Sequence, residues 1–141
     1  MPDIRHLVYI KSTPEKIYEA ITTQQGIASW WSVHNNAKPE VGSIYRISFG
    51  GDYYKDIKIT GLVPNQKVTW EILNAHPEWL NTAVTFEISV DPNGAELRFN
   101  HSNWKDATDM FGQCNHHWGL YLQNLKIFAE TGQPLAMSEF F

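Results

Sequence analysis

The chain has 141 residues, a formal charge of −4, 18% charged and 43% apolar residues, which is long enough for one cored domain and too apolar for disorder. Six Trp, six Tyr and seven Phe stand beside a single cysteine, Cys114, so a disulfide framework is excluded and a reducing compartment fits. No apolar run approaches the ~20 residues of a membrane helix, no Lys/Arg cluster marks a nucleic-acid surface, and Met1-Pro2-Asp3-Ile4-Arg5-His6 lacks the basic start and apolar stretch of a signal peptide. The expectation is a cytoplasmic protein of one domain, residues 1–141, with no membrane insertion and no nucleic-acid partner.

Ile4 to Ile10 is short and β-rich and predicts a first strand. Ser12-Thr13-Pro14-Glu15 predicts a helix start, with Ser12 as the cap, Glu15 three residues on, and Pro14 in the first turn. Ile17, Ala20 and Ile21 give that helix a buried stripe. Gly26 is expected to break it, leaving 27–31 as a second short helix or turn.

From Val41 the apolar period changes to two. Tyr45, Ile47 and Phe49 form one alternating run, and Ile57, Ile59, Gly61 and Val63 form the next. Val68, Trp70 and Ile72 follow, then Val84, Phe86, Ile88 and Val90, then Leu97, Phe99 and His101. Gly50-Gly51-Asp52, Pro64-Asn65-Gln66 and Asp91-Pro92-Asn93-Gly94 supply turns between them. These read as five antiparallel meander strands with one dry face and one wet face that takes the charges. Stretch 106–131 then reads as one long helix, with Met110, Cys114, Trp118, Tyr121, Leu122 and Leu125 on its apolar stripe and Gly132 and Pro134 closing it. The order predicts an α+β domain: a curved antiparallel six-stranded sheet wrapped around a long C-terminal helix, with two short helices after strand 1.

Several motifs in this order resemble a known family. Ser12-x-Pro14-Glu15-x-Ile17-Tyr18-x-Ala20-Ile21 resembles its opening helix, and Trp30-Trp31 its paired tryptophan. Pro39-x-Val41-Gly42 resembles the entry to its second strand, and Gly61 through Lys67-Val68-x-Trp70 its middle turn. Gly94-Ala95-Glu96-Leu97-x-Phe99-x-His101, Trp118-x-x-x-Leu122-x-x-Leu125-Lys126 and Glu130-x-Gly132 fit its last strand and closing helix. The family is the one named after the C-terminal domain of the activator of Hsp90 ATPase, within the helix-grip (START-like, Bet v 1-like) superfamily. The resemblance implies the helix-grip fold. Similar domains include co-chaperones, lipid carriers and polyketide cyclases.

The dry strand faces set Tyr45, Phe49, Trp70, Phe86, Phe99 and His101 opposite Met110, Cys114, His117, Trp118 and Tyr121 of the helix, with Trp31 at the lid. These residues are the candidate ligand-binding set, lining a cavity for a small hydrophobic or aromatic molecule. Cys114 and His117 share a helix face, but His116 points ~100° away and a zinc site needs three or four converging ligands, so no metal is expected. No Gly-x-Ser-x-Gly elbow, phosphate loop or His-Glu-x-x-His is present, and no catalytic residue or cofactor is expected. The expected function is non-enzymatic ligand binding. The resemblance implies two alternatives, a co-chaperone-like regulator of an Hsp90-type ATPase or a polyketide cyclase-like enzyme; for the latter the one polar dyad the residues offer is His101 with Tyr45 or Tyr121. The terminal Phe140-Phe141 is expected to dock on this domain or on a second copy, which makes a homodimer a candidate.

Overall fold

The computed structural model describes residues 1–48 and 52–134; the turn expected at Gly50-Gly51, Phe49 and the terminal Phe140-Phe141 lie outside that range. Elements follow in the order β1 (Ile4–Ile10), α1 (Pro14–Thr22), α2 (Gln24–Trp30), β2 (His34–Asn35), β3 (Ile44–Ser48), β4 (Tyr54–Val63) and β5 (Lys67–Asn74). A 3-10 turn (Pro77–Trp79) precedes β6 (Ala83–Asp91), β7 (Gly94–Ser102) and α3 (Asp109–Thr131). One antiparallel sheet in the order β1-β7-β6-β5-β4-β3-β2 curls around α3.

The alternating runs became strands, and the two-residue turn at Pro92-Asn93 joins Asp91 to its partner Gly94. The described sheet has seven strands where six were expected, because His34 and Asn35 pair with Ser48 and Ile47. A two-residue strand carries no readable period. It is held by Asn35 Nδ2 donating to Gln24 O and Ser32 O at 3.1 and 2.9 Å.

The helix boundaries needed correction. Thr13, not Ser12, caps α1: its Oγ1 accepts from Lys16 N at 3.2 Å, which places Pro14 at the first helical position. Gly26 does not break the helix. The break falls at Thr23, whose Oγ1 accepts from Gly26 N at 3.0 Å and so caps α2. Gly26 sits where α2 passes so close to α1 that a Cβ would lie 2.6 Å from Ala20 Cα. α3 starts at Asp109, with Thr108 Oγ1 accepting from Phe111 N at 3.2 Å, and ends on Gly132 in the left-handed region at φ 79°. Its last turn is tied to β1 through Lys126 Nζ donating to Tyr9 O at 3.1 Å and Lys11 N donating to Glu130 Oε2 at 2.8 Å.

Three expectations about strand faces also changed, the first being Val90, which was expected to share the dry face of Val84, Phe86 and Ile88 but is 80% exposed near the end of β6. The β4–β5 register shifts between Ile59 and Gly61, so Val63 turns outward and is 44% exposed. A bulge inserts one residue and flips every side chain after it. The dry face, expected to carry no charge, carries Lys55. It shares its side of β4 with Ile57 and Ile59 and is only 5% exposed.

Candidate functional site

Rings fill the space between sheet and helix. Trp31 stacks on Trp70 at 5.6 Å and on Trp30 at 5.8 Å. Trp118 leans on Trp31 at 5.2 Å and on Phe99 at 4.5 Å. Phe86 meets Trp70 edge-on at 4.9 Å, and Trp79 stacks on Trp118 at 6.1 Å. Offset and edge-on pairs of this kind satisfy the ring quadrupoles and contribute beyond the area they bury. Tyr45 is buried among them, and its hydroxyl donates to Thr22 O at 2.9 Å.

His101 takes part in a closed relay. Trp118 Nε1 donates to His101 Nδ1 at 3.1 Å, and His101 Nε2 lies 2.8 Å from Thr82 Oγ1. Because Nδ1 accepts, the proton sits on Nε2 and is donated to Thr82. The Thr82 hydroxyl in turn donates to the Trp79 carbonyl. Burial pushes the imidazole pKa down to about 3, so the ring is neutral. Both nitrogens are engaged within the fold.

The opening lies at one end of this array, between β4, the Pro77–Trp79 turn and α3. Trp31, Cys114, His117, Trp118 and Tyr121 line it, joined by Lys55 and Trp79. It contains about 240 Å³ of empty space including its open mouth, of which about 20 Å³ can take the centre of a water molecule, room for about one. Of the sequence-derived set, Trp70, Phe86, Phe99, Tyr45 and His101 are core residues behind it. Met110 stands beside it with its sulfur 3.6 Å from Cys114 Sγ, and Phe49 lies outside the described residues. A wider groove between α1, α2 and the end of α3, with about 850 Å³ of empty space counted the same way, has Lys16, Glu19, Gln25 and Glu130 in its lining and is an ordinary wet helix seam.

Sequence reasoning missed Lys55 and Trp79. Lys55 could have been found by extending the Ile57–Ile59 parity back two residues; Trp79 sits in a turn, where periodicity is silent. The Lys55 Nζ lies 4.6 Å from the Tyr53 ring centroid and 5.0 Å from that of Trp79, within cation–π range. Burial pulls its pKa down to about 8, opposed in part by Cys114. Trp79 Nε1 donates to Cys114 Sγ at 3.2 Å, and burial pushes that thiol up, which makes it a poor nucleophile. Burial, then His116 and Lys55, push the His117 imidazole down. The turn carrying Trp79 is fixed by Tyr53, whose hydroxyl accepts from His76 N at 2.8 Å, and by Thr108 Oγ1 donating to Glu78 Oε1 at 2.5 Å. Among the described residues no three His, Cys, Asp or Glu side chains gather in a way that could hold a metal ion, and no helix is long and apolar enough to cross a membrane.

A curled antiparallel sheet closed on a long C-terminal helix, with two short helices after the first strand, defines a helix-grip protein. Residues 11–130 match the family described as activator of Hsp90 ATPase homolog 1-like protein, and the chain belongs to that family. It is similar to the Aha1 dimer from Colwellia psychrerythraea, solved in solution, with 38% identity over 94% of this chain and 98% of that one and a TM-score of 0.86. Protein MLL2253 from Mesorhizobium loti is 27% identical over 89% of this chain and 94% of that one, with a TM-score of 0.79. The AHSA1-like protein from Aeromonas hydrophila shares the fold, with a TM-score of 0.69 at 14% identity over 90% of this chain and 91% of that one. A comparison with curated proteins returned no match.

Proposed function

We propose that the protein is a non-enzymatic binding domain that seats a small hydrophobic or aromatic molecule in the recess walled by Trp79, Trp118 and Tyr121. The observation that carries this reading is Lys55. Burying an amine is unfavourable, and a methionine would fill the same volume without the charge. A displaced amine pKa inside an apolar recess marks a candidate binding position. With the interior filled by indoles and the recess leaving room for the centre of only about one water molecule, the ligand is small and lies across the mouth rather than deep between sheet and helix. Titration of the labelled protein with benzyl alcohol tests this: saturable shifts of the Trp79 and Trp118 indole N–H resonances are expected. Indole resonances that stay fixed through the titration would sink it.

A second reading, regulation of an Hsp90-type ATPase, is favoured by the family and by the 38% identity to the Aha1 dimer. In that reading the chain works as a dimer, as the Colwellia protein is described to be. Two measurements decide it. A sedimentation profile should show a dimer, and the ATPase rate of a bacterial Hsp90 should rise when the protein is added; an unchanged rate removes the reading.

A further inference from the structure

We propose that Lys55 captures a small aldehyde in the recess as a reversible imine. This rests on the reading of the recess as a ligand site and adds the chemical class of the ligand. The geometry has three parts. The amine is buried at the wall of the recess, 5% exposed, and its Nζ is held over the Tyr53 and Trp79 rings at 4.6 and 5.0 Å. The remaining walls are the Trp31, Trp79, Trp118 and Tyr121 rings with Cys114 and His117 on the α3 side, and an aryl or alkyl substituent can lie against the rings while its carbonyl carbon meets the amine. Little water competes inside, since the recess has room for about one molecule.

Protonation supports the same chemistry. An amine adds to a carbonyl only when neutral, and desolvation is a known route to such lysines. Among the described residues, the titratable groups that face Lys55 include Tyr53 before β4 and Cys114 and His117 on α3. Burial raises the Tyr53 phenol and the Cys114 thiol above their ordinary ranges, while the amine falls to about 8. Lys55 therefore gives up its proton before either of them. The neutral amine adds its lone pair to the carbonyl carbon, and the carbonyl oxygen takes up a proton. The resulting carbinolamine then loses that oxygen as water, the amine supplying both hydrogens in the net reaction. One C=N bond and one water replace the C=O bond and the amine, with no oxidation or reduction.

Benzaldehyde with borohydride trapping at pH 7, followed by peptide mass mapping, tests the proposal on the whole protein. At that pH an amine of pKa 8 is neutral more often than an ordinary lysine by a factor on the order of 100. Allowing for its lower basicity, trapping at Lys55 is expected to exceed that at each of the exposed Lys11, Lys16, Lys38, Lys67 and Lys105 by ~10-fold or more. Lys55→Arg, which keeps the charge, and Lys55→Met should both lose that adduct. Label spread evenly over the surface lysines overturns the imine. If benzyl alcohol still shifts the Trp79 and Trp118 indole resonances in that case, the recess remains a ligand site without a covalent step. If neither compound engages the recess, both proposals fall.

Discussion

At the scale of single residues, chemistry here follows hydrogen-bond direction and burial rather than residue type. In the sequence His101 resembles a ligand contact, since it ends an apolar alternation and carries two polar atoms. In the fold Trp118 donates to one of its nitrogens and the other donates to Thr82, so protonation would break the Trp118 bond and bury a charge. Its pKa falls from an ordinary 6.5 to about 3. The unfolded chain therefore binds a proton that the native state refuses, and the stability is fully present above pH ~6.5 and lost as pH falls towards ~3. The slope is about 1.4 kcal/mol per pH unit within that window. Urea denaturation of wild type and His101→Gln at pH 7.5 and pH 5 should show the wild-type advantage shrinking by about 2 kcal/mol. Parallel losses in the two proteins would mean that His101 is protonated without penalty.

At the scale of elements, the period-two pattern was legible because each strand has one dry face, and the 3.6 period of α3 was legible for the same reason. What could not be read was set by contacts between elements. The Ile59–Gly61 bulge is a matter of register with β5, and no local composition announces it. The short β2 depends on side chains of α2 and its neighbouring loop. Lys55 was hidden because a lysine at the start of a strand reads as solvated, although its parity places it inside. Gly26 makes the point most sharply: in the sequence it reads as a breaker, whereas its role is to let α2 approach α1 closely enough for Trp30 Nε1 to donate to Ala20 O at 2.8 Å. A Cβ there would lie 2.6 Å from Ala20 Cα and from two carbonyl oxygens, all of them backbone atoms that cannot rotate away. Gly26→Ala should therefore destabilise by about 2–3 kcal/mol. Gly112, inside α3 with nothing within 4 Å of an added Cβ, is the control: Gly112→Ala should stabilise by roughly 0.5–1 kcal/mol. Thermal melts of the two variants moving in the same direction would refute the close-approach account.

At the scale of the whole molecule, the question is whether the helix-grip interior is a container or a core. Candidate ring residues were legible because they alternate, but periodicity reports which face a ring takes and not how much space remains once every ring is in place. Here Trp31 touches Trp30, Trp70, Trp118 and Tyr121 while also lining the recess, so it separates the packed core from the mouth. Removing it should therefore join the two. Trp31→Ala is expected to lose about 3–5 kcal/mol and to leave a dry, indole-shaped space continuous with the recess. Added indole should then restore part of that loss, by about 1.4 kcal/mol at ten times its Kd, read as a rise in melting temperature that exceeds any rise in wild type. The comparison decides between the two pictures. A container already open between sheet and helix would let indole stabilise wild type as strongly as the variant. A filled core reserves the effect for the chain that has lost its indole, and leaves the wild-type ligand only the recess beside Lys55.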